Sequence, residues 1–140
     1  INVMRWETCL EEHIVHKQVA DADDIAVLLR QSDNTMHTTK RIETDEQTAR
    51  SKALLAYDAV REALEALSAQ KGYDVHNHEC YKAFLRDVIG AAEAASTFND
   101  LRKRRNQLEY DASPITISDA EVFVETADQL RNDVLFFVDD

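Results

Sequence analysis

Glycine and proline are nearly missing from this chain of 140 residues, which has two of the first and one of the second. A β-sandwich or barrel turns often and needs many such residues. Their scarcity excludes those folds and points to long helices with short connections. No apolar run approaches the roughly 18 residues that a membrane span requires, and no secretory signal is visible. The chain opens on Ile1, which reads as a trimmed or renumbered start. Cysteine is scarce too. Cys9 and Cys80 lack CxxC spacing and read as free thiols in a reducing, cytoplasmic compartment rather than as a disulfide framework. Positive charge is also in short supply, with 16 basic against 27 acidic residues and a net charge of −11. Such a surface repels phosphates and excludes broad, non-specific nucleic-acid binding. A polyanion would have to dock locally.

What is present suits one helical domain over residues 1–140. The composition is 44% hydrophobic and 31% charged, which suits a packed core rather than disorder. Residues 6–17 read as a short first helix with Trp6, Leu10, His13 and Ile14 on one side. Asp21 is placed to cap a second helix whose buried stripe is Val19, Ala22, Ala26 and Leu29. Residues 32–41 are polar and read as loop or frayed helix. Thr44 with Gln47 makes a capping-box pattern. After it Ala49, Ala53, Ala56, Val60, Leu64 and Leu67 recur at helical spacing, and Gly72 closes the helix. Residues 73–79 read as a loop, followed by a helix to about Ile89 or Gly90. Another helix is expected over residues 91–109, stopped before Pro114. Ser118 with Glu121 suggests the cap of a last helix carrying Ala120, Phe123, Ala127, Leu130, Val134 and Phe137. The expected fold is all-α, a five- to six-helix up-and-down bundle.

Four of the 16 basic residues stand together as Arg102, Lys103, Arg104 and Arg105. Ala91, Ala94, Phe98, Leu101, Arg105 and Leu108 share one stripe, so Arg105 projects from the packed face. A guanidinium there needs a partner, because burying a lone charge is costly. That partner is a buried acid, such as Asp58 or Glu109, or a ligand in a cleft. Asn106 and Tyr110 flank Arg105 one helical turn apart. Two clusters carry metal-ligand residue types: His13 and His16 beside Glu12, and the loop His76, His78, Glu79, Cys80. The first needs a third ligand from elsewhere, and the second lacks the paired half that zinc sites of this kind usually show, so no metal or other cofactor is expected. Asn77 or His78 reads instead as a helix cap.

The segment "RNQLEY" resembles the Arg-x4-His signature of the HEPN domains, with Arg105 and Asn106 on its first two positions. "SKALLAYDAVREALEALSAQKGY", residues 51–73, is similar to the long helix of one bacterial branch. "VHNHECYKAFL" is similar to the segment after it, with His78 as the matching histidine. The resemblance covers residues 15–137. It implies a homodimeric helical bundle that binds RNA, and a metal-independent ribonuclease of a toxin–antitoxin or defence module. Arg105, Asn106 and Tyr110 would be the catalytic positions, and Arg102, Lys103 and Arg104 would widen the RNA-binding strip. Tyr110 stands where the family has its catalytic histidine, and tyrosine is a poor base at pH 7. The alternative implied is an inert HEPN module partnered by an antitoxin or a nucleotidyltransferase.

Overall fold

The computed structural model describes residues 4–139; Ile1 and Asp140 lie outside them. The described residues hold six α-helices and one two-stranded sheet, and 73% of these residues are helical, so the class is all-α. The elements are α1 (Trp6–Glu11), β1 (Val15–Lys17), α2 (Ala22–Arg41), α3 (Ala49–Gln70), β2 (Tyr73–Val75), α4 (His78–Ala83), α5 (Ala92–Tyr110) and α6 (Ile117–Phe136). A wide π-helical turn, Phe84–Ile89, continues α4. It ends at Gly90, whose φ of +79 suits a residue without a Cβ.

Helix α3 is the centre. Thirteen of its 22 residues are buried, including all the alanines from Ala49 to Ala69. Small side chains let α2 and α6 pack closely on either side, while α5 meets a third face. The stripe on α6 is buried from Ala120 through Val134. On α5, Ala94, Phe98, Leu101 and Leu108 are buried, and Arg105 is half-buried among them.

Several expectations need correction. Residues 6–17 are not one helix. His13 takes a left-handed φ of +58 after α1, and Val15–Lys17 then pairs antiparallel with Tyr73–Val75, inside the expected 73–79 loop. The α2 stripe lies further along. Val19 is fully exposed, whereas Ser32, Met36 and Thr39 are buried, so the polar 32–41 stretch is helix. Thr44 and Gln47 make no capping box. Asp45 Oδ1 instead accepts from the backbone N–H groups of Gln47 and Thr48, and Thr44 Oγ1 accepts from the buried Lys52. The α6 cap is Thr116, which accepts from the Asp119 N–H at 3.0 Å, rather than Ser118. Asp21 does cap α2, Asn77 caps α4, and Gly72 follows α3 with a φ of +96. At the far end of the chain Asp139 pairs with Lys71 at 3.1 Å, and its backbone N–H donates to Gln70 at 2.8 Å.

The largest correction concerns cysteine. Cys9 and Cys80 are joined in a disulfide, with Cα atoms 6.0 Å apart, and no free cysteine remains. A sequence separation of 71 hides this pairing in the sequence. Strand pairing carries α1 back to α4, and Trp6 packs edge-on to Tyr73 at 4.9 Å and near Phe84 at 5.4 Å. The cysteine argument for a reducing, cytoplasmic compartment therefore falls. Among the described residues no helix is long and apolar enough to cross a membrane.

Candidate functional site

Tyr57 sits on the α3 face turned towards α5 and is almost fully buried. Its ring stacks on Phe98 with centroids 5.7 Å apart. A buried phenol needs a polar partner. It finds one in His78, whose Nδ1 lies 2.6 Å from the Tyr57 hydroxyl oxygen. Burial pushes the Tyr57 pKa well above its ordinary value, so the phenol is neutral. His78 opens α4, next to the Asn77 cap and two residues before the disulfide at Cys80. It is half-buried. Burial lowers its pKa, and the Arg105, Arg61 and Arg102 charges lower it further against the pull of Asp58. His78 is therefore a neutral imidazole at pH 7.

The four clustered cations have different fates. Arg102 forms an ion pair with Glu79 at 2.7 Å and donates to Asn99 at 3.1 Å. Lys103 is exposed. Arg104 donates to Gln107, to Ser113 and to the Pro114 carbonyl at 2.8 Å, which fastens the end of α5 to the loop before α6. Arg105 is held by uncharged groups. Its Nη1 reaches Asn106 Oδ1 at 3.2 Å and the Tyr110 hydroxyl at 3.5 Å, the limit of hydrogen-bond range. Its guanidinium carbon stands 5.6 Å from the Tyr57 ring centroid and 5.5 Å from that of Tyr110, within cation–π range.

Among the described residues Arg105 has no carboxylate at ion-pair distance. Asp58 pairs with Arg61 at 3.7 Å, and Glu109 pairs with Arg50 at 3.5 Å. Neither is the acid partner of Arg105. The aromatic rings and Asn106 orient the guanidinium without neutralising it. It can then present Nε and Nη2 to an oxyanion, for which the planar fork of arginine is well shaped. Tyr110 is 72% exposed and offers a ring face at the edge of the site.

The structure thus brings Arg105, Asn106 and Tyr110 together, as their spacing suggested. Arg102 stands nearby with its charge balanced, Arg104 serves the fold, and Lys103 is a solvated cation. Sequence reasoning did not select Tyr57, and it weighed His78 only as a cap, a metal ligand or a matching position. The available signal was a tyrosine in the alanine-rich stripe of α3, whose hydroxyl had to find a partner. The metal alternatives do not form. His13 lies in a turn, His76 pairs with Asp74 at 2.7 Å, and Cys80 is in the disulfide. No group of three or more metal-ligating side chains exists among the described residues. A surface cleft of about 470 Å³ between Gly90–Ala94 and Asp133–Phe137 contributes only the acids Glu93 and Asp133 as charged groups, which is unsuited to an anion. No protein-family model, curated protein or solved structure matches the chain.

Proposed function

We propose that this is a HEPN-like RNA-binding protein in which Arg105 holds a backbone phosphate and Tyr110 stacks on a neighbouring base. The observation that carries the reading is an oriented guanidinium without an acid partner in a chain of net charge −11. A cation kept unpaired among so many carboxylates is matched to an anion from outside. The exposed ring of Tyr110 favours a single strand, whose unstacked bases can lie on it. The resemblance of residues 15–137 to HEPN domains supports the same reading. It adds a homodimer, in which two copies of residues 102–110 would share one positive cleft within an acidic exterior.

A second reading, an inert interaction module bound by an antitoxin or a nucleotidyltransferase, is favoured by the same acidity and by Tyr110 in the histidine position. Fluorescence anisotropy with a labelled single-stranded RNA across a salt series decides between them. Wild type should bind more weakly as salt rises. Arg105→Ala should lose about tenfold or more in affinity, the scale of one charged hydrogen-bonded contact. RNA affinity that is absent, or equal in both proteins, would overturn the RNA reading in favour of the interaction module.

A further inference from the structure

We propose that the groove between α5 and α6 is a docking surface for a partner protein that presents a basic amphipathic helix. This inference is independent of the Arg105 site. Three observations carry it. First, the groove is long. One stretch is the cleft of about 470 Å³ at Gly90–Ala94 and Asp133–Phe137. A second, of about 410 Å³, runs on from Asp133 past Gln129 to Val122, with Thr97 across from them, and Asp133 borders both. From Val122 to Phe136 a helix rises about 21 Å, which matches a partner helix of about four turns. Second, each end of the groove carries an unburied apolar anchor. Phe136 is 84% exposed and Val122 is 60% exposed. The Phe136 ring is braced edge-on against Phe137, with centroids 5.7 Å apart, so little rotamer freedom is left to lose on binding. Third, its charge is of one sign. Glu93, Glu125 and Asp133 are exposed along it, and no lysine or arginine lines either stretch. Among the described residues none of these three carboxylates meets a cation at ion-pair distance. Asp133 accepts from the Gln129 amide at 3.2 Å, an uncharged donor.

These charges select the occupant. Nucleic acid and an anionic membrane surface are repelled by the groove. A second copy of this chain would bring Glu93, Glu125 and Asp133 against a surface that itself carries −11, and like charges set face to face at an interface are costly. A helix with Lys or Arg along its flanks and Leu, Ile or Phe on its inner stripe answers both features. Its apolar stripe covers Val122 and Phe136, and its cations reach the three carboxylates. This is helix-in-groove recognition. The braced aromatic ring supplies most of the affinity, while the carboxylates set orientation and association rate.

The test uses the intact, oxidised chain, immobilised and panned against a displayed library of random peptides about 16 residues long, enough for four helical turns. Peptides enriched on wild type should carry Lys or Arg beside apolar residues at helical spacing. The most enriched peptide, synthesised with a fluorophore, should bind Phe136→Asp about tenfold or more weakly by anisotropy. It should bind Glu93→Lys with Asp133→Lys about tenfold more weakly too, and added salt should weaken its binding to wild type. The same peptide with its Lys and Arg changed to Glu should prefer that double variant over wild type, a reversal that a purely apolar patch would not give. All three positions are exposed, so these variants should keep the wild-type circular dichroism and unfolding midpoint. Arg105→Ala should bind the peptide like wild type. The inference fails if no peptide is enriched, if the enriched peptides lack cations, or if Phe136→Asp binds as tightly as wild type. It fails also if wild type sediments as a dimer that Phe136→Asp abolishes, because the groove would then belong to a second copy.

Discussion

Arg131 and Arg105 both project from the packed stripe of a long helix, and they are treated in opposite ways. Arg131, between α6 and α2, is only 6% exposed. Its Nε donates to Ser32 Oγ at 2.7 Å, that hydroxyl donates to the Ala59 carbonyl at 2.6 Å, and Asp33 supplies a counter-charge. Three helices are tied by one guanidinium, with its charge answered inside the protein. Arg105 meets two aromatic rings, an amide and a hydroxyl, none of them charged. A buried arginine is thus not in itself a sign of function. What separates the two is whether the chain supplies the anion, and at Arg105 it does not.

The two regions are also held differently, and this gives the largest expected effect. The Arg131 region lies between two 20-residue helices. The Arg105 region borrows a wall from α4, only six residues long and stapled to α1 by the disulfide. Closing a loop of this length in the unfolded chain is worth about 4 kcal/mol. Cys9→Ser with Cys80→Ser, or reduction of the wild type, should lower the urea-unfolding free energy by about that amount. Amide exchange should quicken first around α1 and α4. Uniform quickening that includes the α2–α6 contact would erase the distinction between the two regions.

Next in size is the pair of arginine truncations. Arg131→Ala leaves the Ser32 network and Asp33 without their cation and should cost about 3 kcal/mol. Arg105→Ala loses cation–π contacts and should cost about 1 kcal/mol. Its main consequence should be in RNA affinity, where Arg131→Ala should be silent at temperatures at which it stays folded. Equal stability losses in chemical denaturation would break the comparison, because Arg105 would then be a structural residue like Arg131. Lys103→Ala should change affinity by only about 0.5 kcal/mol, as expected for a screened surface charge.

The difference between these residues was only half legible in the sequence. Periodicity located α3, α5 and α6, and it placed Arg105 on the seam, because helical spacing is a local property. It could not see that Arg104 closes onto Pro114, that Glu79 takes Arg102, or that Asp58 and Glu109 are claimed by Arg61 and Arg50. Those pairings depend on which helices meet. The same limit hid the strand pair, which joins segments 55 or more residues apart, and with it the disulfide. Caps were misplaced by a few residues at Thr44 and Ser118, since several Ser, Thr and Asp side chains compete near each helix start. The role of Arg131 is equally non-local, because its partner Ser32 lies 99 positions away and Asp33 follows it on the same helix.

The smallest expected effect distinguishes the regions by pH. His78 belongs to the Arg105 region, and its pKa in the folded protein lies below its ordinary value of 6.5 because of burial and the Arg105, Arg61 and Arg102 charges. The unfolded chain therefore binds a proton more readily than the folded one between that lowered pKa and about 6.5. By linkage, the contribution of His78 to stability is fully present above pH 6.5 and is lost as the pH falls through the folded pKa. His78→Asn should remove this slope, and Arg131→Ala should leave it unchanged. Arg105→Ala removes one of the charges that oppose protonation, so the histidine pKa followed by NMR should rise towards 6.5 in that variant. Inorganic phosphate added to the wild type should raise it too, by placing an anion beside the ring. A His78 resonance that titrates at the same pH in wild type, in Arg105→Ala and with phosphate would mean that the arginine and the imidazole do not share one site.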